Sequence, residues 1–306
     1  MIIATIGKLV LAVAIGYYLY KKEIFTVEIN QKLSYFILNI TMPLLIITSM
    51  NDTDLGDRGT VMFYILVGMG FYLVFPFIGK LFNLVFRVKE DEKPTYEACC
   101  IFSNNTFMGY PVCASIYGAS CIFYVSMFNL MFNLMYYTYG NVLFDGNREK
   151  GKTTIKDVAK SVVNPGLLSS LLAVCLFLLE IRLPSGLVQV CEFVGGITSP
   201  LSMVVIGSVI SSYSVRKLLK SDWRLYALAA LRLTVFPVVT YFIMTALGFT
   251  GAMLGVAVIS LGMPVAAMVS MGCIKSGHNE ELGAAGVVVT TILSLISTPI
   301  LLFIFG

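Results

Sequence analysis

Residues 109–114 read GYPVCA, and residues 262–267 read GMPVAA. Each stretch lies in a long apolar run and places a glycine close to a proline. Proline removes a backbone donor, and its ring clashes with the preceding turn of a helix. Unpaired backbone groups are unfavourable in lipid unless protein, water or a ligand satisfies them. The two stretches therefore predict two interrupted helices whose freed backbone groups are available to a ligand.

A second pair of matching stretches indicates an internal duplication. Residues 40–44 read ITMPL, and residues 197–201 read ITSPL. The two pairs occur in the same order, at offsets of 157 and 153 residues. Similarity at a nearly constant offset predicts two halves that are built alike. Taken alone, each proline is also compatible with an ordinary kink of a membrane helix.

The composition predicts a membrane protein. Of the 306 residues, 58% are hydrophobic and 12% are charged, a balance unsuited to a water-exposed surface of this extent. A helix needs about 20 apolar residues to cross a bilayer, and such runs follow one another along the chain. We predict an all-α membrane protein with ten transmembrane helices, at residues 2–20, 33–50, 61–86, 96–117, 121–144, 162–179, 187–210, 223–247, 252–274 and 282–305.

The basic residues predict the orientation. With ten spans, the loops on one side carry 17 lysines and arginines, and the loops on the other carry only Arg58 and Arg182. Cytoplasmic loops are the basic ones, so we expect a multi-pass protein of the cell membrane with both termini extracytoplasmic. The basic side chains responsible for the net charge of +4 then lie in loops beside the lipid headgroups. It does not indicate a nucleic-acid partner.

Five spans in each half make the second half inverted relative to the first. The predicted units are a first five-helix repeat at 1–144, a cytoplasmic linker at 145–160 and a second, inverted five-helix repeat at 161–306. Inverted repeats are typical of secondary transporters, whose substrates bind near mid-membrane where broken helices of the two repeats meet. The fourth and ninth spans are the predicted broken crossover helices.

The candidate binding residues follow from these two spans. An anion fits the amino-terminal end of a half-helix, where N–H groups and the positive end of the dipole converge. The predicted substrate-binding residues are Asn104, Asn105, Thr106, Gly109, Pro111, Gly262, Met263 and Pro264. The side chains of Asn105 and Thr106 could equally form hydrogen bonds between helices, which contribute about 0.6 kcal/mol in membranes.

Supporting roles are predicted for the second proline pair and for one deep cation. These residues are Thr41, Pro43, Thr198, Pro200 and Arg232. Arg232 lies about nine residues into the eighth span, where a charge must be paired or face water. It could balance the charge of a substrate, or its long side chain could reach the cytoplasmic surface.

The sequence carries no set of residues for catalysis. It has one histidine, and its seven cysteines include no Cys-x-x-Cys pair, so we predict no catalytic residue, no metal site and no cofactor. The carboxylates Glu97, Glu180 and Glu192 lie at span ends, which gives ion coupling little support. Backbone carbonyls of the broken helices could still hold sodium.

Residues 104–111, NNTFMGYP, resemble the fourth-span motif of the auxin efflux carrier family. Asn164-Pro165 and Pro200-Leu201 with Gly207 resemble further marks of that family, which includes malonate and malate carriers and the PIN-formed auxin carriers. The resemblance implies a bile-acid-symporter-like fold with crossing fourth and ninth spans. It also implies that Asn104 contacts the substrate carboxylate. Asn105 and Thr106 depart from the common Asn-Thr-Gly version, which affects the pocket.

The resemblance implies a secondary transporter of small organic anions, such as malonate, malate or auxin-like acids, working by alternating access. It also suggests a homodimer. Two alternatives remain: a sodium-coupled symporter of the bile-acid type, and a membrane sensor that binds ligand without transporting it.

Overall fold

The computed structural model describes residues 2–51, 58–144, 164–212, 222–277 and 279–305. Within these ranges the chain is all-helical, apart from an isolated antiparallel bridge between Ser103 and Val265. This confirms the predicted all-α class. The predicted linker 145–160 lies outside the described residues. So do residues 161–163, which begin the predicted second repeat and include the first two residues of the predicted sixth span.

The helices follow the predicted apolar runs. In chain order they are α1 Ile2–Lys21, α2 Val27–Thr48, α3 Arg58–Val85, α4 Lys93–Ile101, α5 Tyr110–Tyr117, α6 Ala119–Phe144, α7 Pro165–Leu178, α8 Ser185–Gly195, α9 Thr198–Ser212, α10 Trp223–Ala246, α11 Gly251–Leu261, α12 Ala267–Ser276 and α13 Glu280–Phe305.

Six stretches of the described chain are long and apolar enough to cross a membrane. They are α2, α3, α6, the pair α8 and α9 taken together, α10, and α13 as far as Leu301. The helices α7 and α11 are apolar but shorter. The chain is therefore a multi-pass membrane protein. Helix α2 begins before the predicted second span because the Thr26 side chain accepts a hydrogen bond from the Ile29 N–H and caps the helix.

Three of the prolines follow wide π-helical turns instead of breaking their helices. The turns Ile37–Thr41, Asn105–Gly109 and Leu231–Val235 each end two residues before a proline, at Pro43, Pro111 and Pro237. A π turn shifts the hydrogen-bonding register, so the helix can accommodate a residue that lacks an N–H. The structure thus places the first interruption before Pro111, at residues 102–104, and not at Pro111 itself.

The second interruption lies where the sequence predicts it. Helix α11 ends at Leu261 and α12 begins at Ala267, so Pro264 lies within the gap. Pro200 lies near the start of α9, where the missing N–H has no helical partner to lose.

The matching stretches 40–44 and 197–201 contact each other. The Thr198 hydroxyl donates to the Thr41 hydroxyl over 2.8 Å, and both side chains are buried. The rings of Phe75 and Phe236, each followed by a proline, stack with centroids 4.8 Å apart. Thr41 and Thr198, which hold the same place in the two matching stretches, are therefore neighbours in space.

Helices α1 and α9 approach so closely that their backbones touch. A Cβ atom added at Gly16 would lie 1.8 Å from the carbonyl oxygen of Val204, and one added at Gly207 would lie 1.9 Å from that of Val13. Only glycine leaves room for such contact. The Asn30 side chain joins α2 to α9 through a 2.8 Å hydrogen bond to Ser208.

We predict that Gly16→Ala destabilises the protein by about 1–3 kcal/mol, because the new methyl group forces α1 away from α9. Thermal unfolding of the purified protein in detergent measures this. The matched control is Gly7→Ala on the same helix, where an added Cβ meets no atom within 4 Å. Equal unfolding temperatures for the two variants would contradict the close approach.

Candidate functional site

The two interruptions pair with each other through their backbones. The Asn104 N–H donates to the Pro264 carbonyl over 2.8 Å, and the Ala266 N–H donates to the Phe102 carbonyl over 2.9 Å. These bonds flank the bridge between Ser103 and Val265. Each break thus satisfies backbone groups that the other break leaves without helical partners, as an apolar surrounding requires.

One threonine completes this pairing. The Val265 N–H donates to the Thr290 hydroxyl of α13 over 2.9 Å, and that hydroxyl donates to the Gly286 carbonyl within α13. Thr290 and Val265 are fully buried. The hydroxyl therefore links α13 to the second interruption and supplies an acceptor where no water can reach.

Arg232 satisfies the carbonyl groups at the carboxyl ends of α4 and α11. Its Nη1 donates to the carbonyls of Cys99 and Cys100, over 2.8 and 2.7 Å. Its Nε donates to the Met263 carbonyl over 2.9 Å, just beyond the end of α11. Its Nη2 donates to the Ser103 hydroxyl over 2.5 Å. Arg232 therefore holds both interruptions through one guanidinium group.

The charge of Arg232 is balanced by helix ends. The side chain is 1% exposed, and none of the ion pairs formed in the described part of the chain includes it. The carboxyl end of a helix carries about half a negative charge, and two such ends meet at this guanidinium. The predicted alternative that Arg232 reaches the cytoplasmic surface does not match this buried position.

The amino-terminal sides of the interruptions line a cavity of about 60 Å³. Asn104, Phe107 and Ala267 contribute from the two resumed helical segments, and Ser34 and Thr291 add hydroxyl groups. The remaining wall is apolar and comes from α9 and α13: Val205, Ile206, Val209, Ile210, Val287 and Val288. Most of the surface is thus apolar, with the polar groups gathered from few positions.

The polar end of this cavity has donors to offer. The Asn104 side-chain oxygen Oδ1 accepts from the Phe107 N–H over 3.3 Å and caps the segment that begins at Asn105. No side-chain hydrogen bond caps α12, whose N-cap residue is Ala266. The first N–H groups of a helix have no partner within it. The start of α12 at Ala267 therefore presents donors and a positive dipole end beside the cavity.

Comparison with known proteins identifies the family. A family model described as "Membrane transport protein" matches residues 1–302. The chain belongs to this family of membrane transport proteins. The match confirms the predicted relationship to the auxin efflux carrier family.

Two archaeal relatives extend over nearly the whole chain. One, described as an uncharacterized transporter of Methanothermobacter thermautotrophicus, is 25% identical over 300 residues, which cover 97% of this chain and 96% of the relative. The other, an uncharacterized transporter of Methanocaldococcus jannaschii, is 22% identical over 295 residues, covering 93% and 92%. The family and both relatives are transporters, which fits the expectation that the chain is not an enzyme.

The structure of this membrane transport protein separates the predicted polar triplet. Asn104 lines the cavity. Asn105 is fully buried, and its Nδ2 lies 3.5 Å from the Tyr72 hydroxyl. The Thr106 hydroxyl donates to the Asn129 side chain over 3.4 Å. Asn105 and Thr106 thus form contacts between helices, the alternative that the sequence left open.

The glycines and prolines of the motif have structural positions outside the cavity lining. A Cβ atom on Gly109 would lie 2.9 Å from the Asn105 side-chain oxygen, and one on Gly262 would lie 3.1 Å from the Pro237 ring. Met263 and Pro264 contribute their carbonyl oxygens, to Arg232 and Asn104 respectively. They shape the interruptions instead of facing the cavity.

Sequence reasoning missed five residues that contribute polar groups to this region: Ser34, Ser103, Ala267, Thr290 and Thr291. The adjacent threonines 290 and 291 in an otherwise apolar run were a usable signal, because buried hydroxyl groups need partners. Ala267 carried no signal, since its contribution comes from backbone N–H groups at a helix start. Only the position of the break reveals it.

We predict that Thr290→Val lowers stability by about 1–3 kcal/mol, because the buried Val265 N–H loses its acceptor. The unfolding temperature of the purified protein measures the loss. Thr48→Val is the matched control: Thr48 is also buried, but its hydroxyl donates only to carbonyls of its own helix, those of Leu44 and Leu45. A loss no larger than the control's would exclude the proposed role of Thr290.

Proposed function

We propose that this protein is a secondary transporter of small organic anions, which bind where the two interrupted helices meet. The observation that carries the proposal is the shared cavity: Asn104 and the uncapped start of α12 at Ala267 line one space. Helix amino termini bind carboxylates through free N–H groups and the dipole. The Asn104 side-chain nitrogen adds a donor.

The apolar wall suits the organic part of the substrate. Six valine and isoleucine side chains face the same space as Asn104, so a carboxylate held at the polar end places its carbon skeleton against them. The Ser34 hydroxyl offers a further donor, whereas the Thr291 hydroxyl already donates to the Val287 carbonyl of its own helix. A cavity of about 60 Å³ admits only a few water-sized groups, so larger anions require the walls to separate.

The proposed architecture is ten spans in two inverted five-helix repeats, 1–144 and 161–306, joined by a cytoplasmic linker. The contact between Thr41 and Thr198 supports it, because a pseudo-two-fold axis can bring equivalent residues of two inverted repeats together. The pairing of Ser103 with Val265 supports a crossover of the fourth and ninth spans. In this arrangement both termini are extracytoplasmic, and the homodimer remains a prediction.

Alternating access follows from where the cavity lies. One side of its lining belongs to the paired interruptions and to α13, which Thr290 joins to the second of them, and the other belongs to α2 and α9. Movement of the paired interruptions against α2 and α9 would open the cavity to one membrane face and then to the other. The smooth apolar side chains of α9 leave few hydrogen bonds to break during such a movement.

We predict that Asn104→Ala weakens carboxylate binding about ten- to hundredfold, the effect of losing one hydrogen bond to a charged group. A thermal-stability screen of the purified protein against mono- and dicarboxylates, with and without sodium, first identifies a ligand. Uptake of that ligand into reconstituted vesicles then measures transport.

Asn39→Ala is the matched control, since the Asn39 side chain donates only to the Tyr35 carbonyl of its own helix. Wild-type rate and affinity in Asn104→Ala would refute the assigned role of Asn104. Binding without any vesicle flux would favour a membrane sensor. Binding that requires sodium would favour a sodium-coupled symporter.

The proposed topology makes a separate prediction. A reporter enzyme that is active only outside the cytoplasm should be active when fused to either terminus, and inactive when inserted in the 145–160 linker. The basic loops then lie on the cytoplasmic side, as the positive-inside rule requires. Termini on opposite membrane faces would exclude ten spans and with them two inverted halves of five.

A further inference from the structure

We infer that Arg232 is a built-in cation that fills a cation site between the two interruptions, and that removal of its side chain opens this site to a free guanidinium ion. The site consists of four oxygen atoms: the carbonyls of Cys99, Cys100 and Met263, and the hydroxyl of Ser103. They come from both interrupted segments, whereas Arg232 comes from a third element, α10.

The four oxygens match the shape of a guanidinium group. They accept hydrogen bonds from all three of its nitrogen atoms, over 2.5–2.9 Å, so they surround a plane and not a point. Arginine offers five N–H donors in such a fixed fork, and four of them are used. A planar cation therefore fits this set better than a compact lysine ammonium does.

The site needs a cation for electrostatic reasons as well. Cys99 and Cys100 belong to the last turn of α4, and Met263 follows the end of α11. The last carbonyls of a helix have no partner within it, and their partial negative charges add here. Without Arg232, these buried oxygens would face one another with neither water nor a donor.

The same geometry gives Arg232 a positioning role. Its donors are committed to the protein's own oxygens, and it does not line the cavity beside Asn104. It ties the end of α4 to the end of α11, so the two interrupted segments behave as one unit. That they move together during transport rests on the proposed function; the cation site itself does not.

Chemical rescue tests the cation site. We expect Arg232→Ala to lower the apparent Tm of the purified protein by about 5–10 °C, as expected for removal of one partner from a buried charged network. Millimolar guanidinium chloride should restore part of this loss by binding the folded protein. Tetramethylammonium chloride at the same concentration is the control for ionic strength, because this cation has no N–H or O–H group to donate to the oxygens.

Three further variants keep the test decisive. Met244→Ala removes a buried side chain from the same helix, α10, and its lower Tm should not respond to guanidinium. Arg232→Lys retains a charge and Arg232→Gln does not, so the lysine variant should be the more stable even if Arg232→Ala does not fold. The wild-type protein should show no guanidinium response.

Three results would overturn the inference. They are an Arg232→Ala variant as stable as wild type, a Tm loss that tetramethylammonium restores as well as guanidinium, and a glutamine variant as stable as the lysine variant. Because the readout is stability, it is independent of substrate. Rescue by guanidinium in a protein that neither binds nor transports any carboxylate would leave the cation site standing and remove the proposed function.

Discussion

The structure depends on one constraint: inside a bilayer, every backbone N–H and C=O group needs a partner within the protein. An unbroken helix meets this requirement by itself, but an interrupted one does not. Here two interruptions meet, and each supplies partners to the other through the bonds from Asn104 to Pro264 and from Ala266 to Phe102. Thr290 satisfies the Val265 N–H. The interruptions therefore stabilise each other, and neither could persist alone in lipid.

The helix ends on the two sides of each interruption have different hydrogen-bond partners. At the carboxyl ends of α4 and α11, the guanidinium of Arg232 donates hydrogen bonds to three carbonyls and a hydroxyl. At the amino ends, Asn104 caps one segment, while the start of α12 has no side-chain cap and borders a cavity. Positive charge is thus supplied where carbonyls converge. Where N–H groups converge, the place for negative charge is left to a ligand, and this asymmetry underlies the proposed anion site.

Some prolines lie where a helix is interrupted and others lie in helices that continue, and the sequence around a proline does not distinguish the two cases. Pro264 lies within an interruption, whereas Pro43, Pro111 and Pro237 follow π turns in helices that continue. The first interruption, at residues 102–104, contains neither glycine nor proline. It exists because the second interruption and Arg232 provide partners for its backbone. Such partners lie more than 100 residues away in the chain, so no local pattern could place this break.

The sequence by itself determined the all-helical membrane class, the positions of most helices and the family, because apolar runs of sufficient length have few other solutions in lipid. It also singled out Asn104, Pro264 and Arg232 as polar or helix-breaking residues in apolar surroundings. Only the tertiary structure decided what each of them contacts. It placed Asn104 on a cavity, turned Asn105 and Thr106 toward neighbouring helices, and gave Arg232 carbonyl partners. Hydrogen bonding between distant segments depends on how helices cross, and a linear pattern of apolar residues does not contain that information.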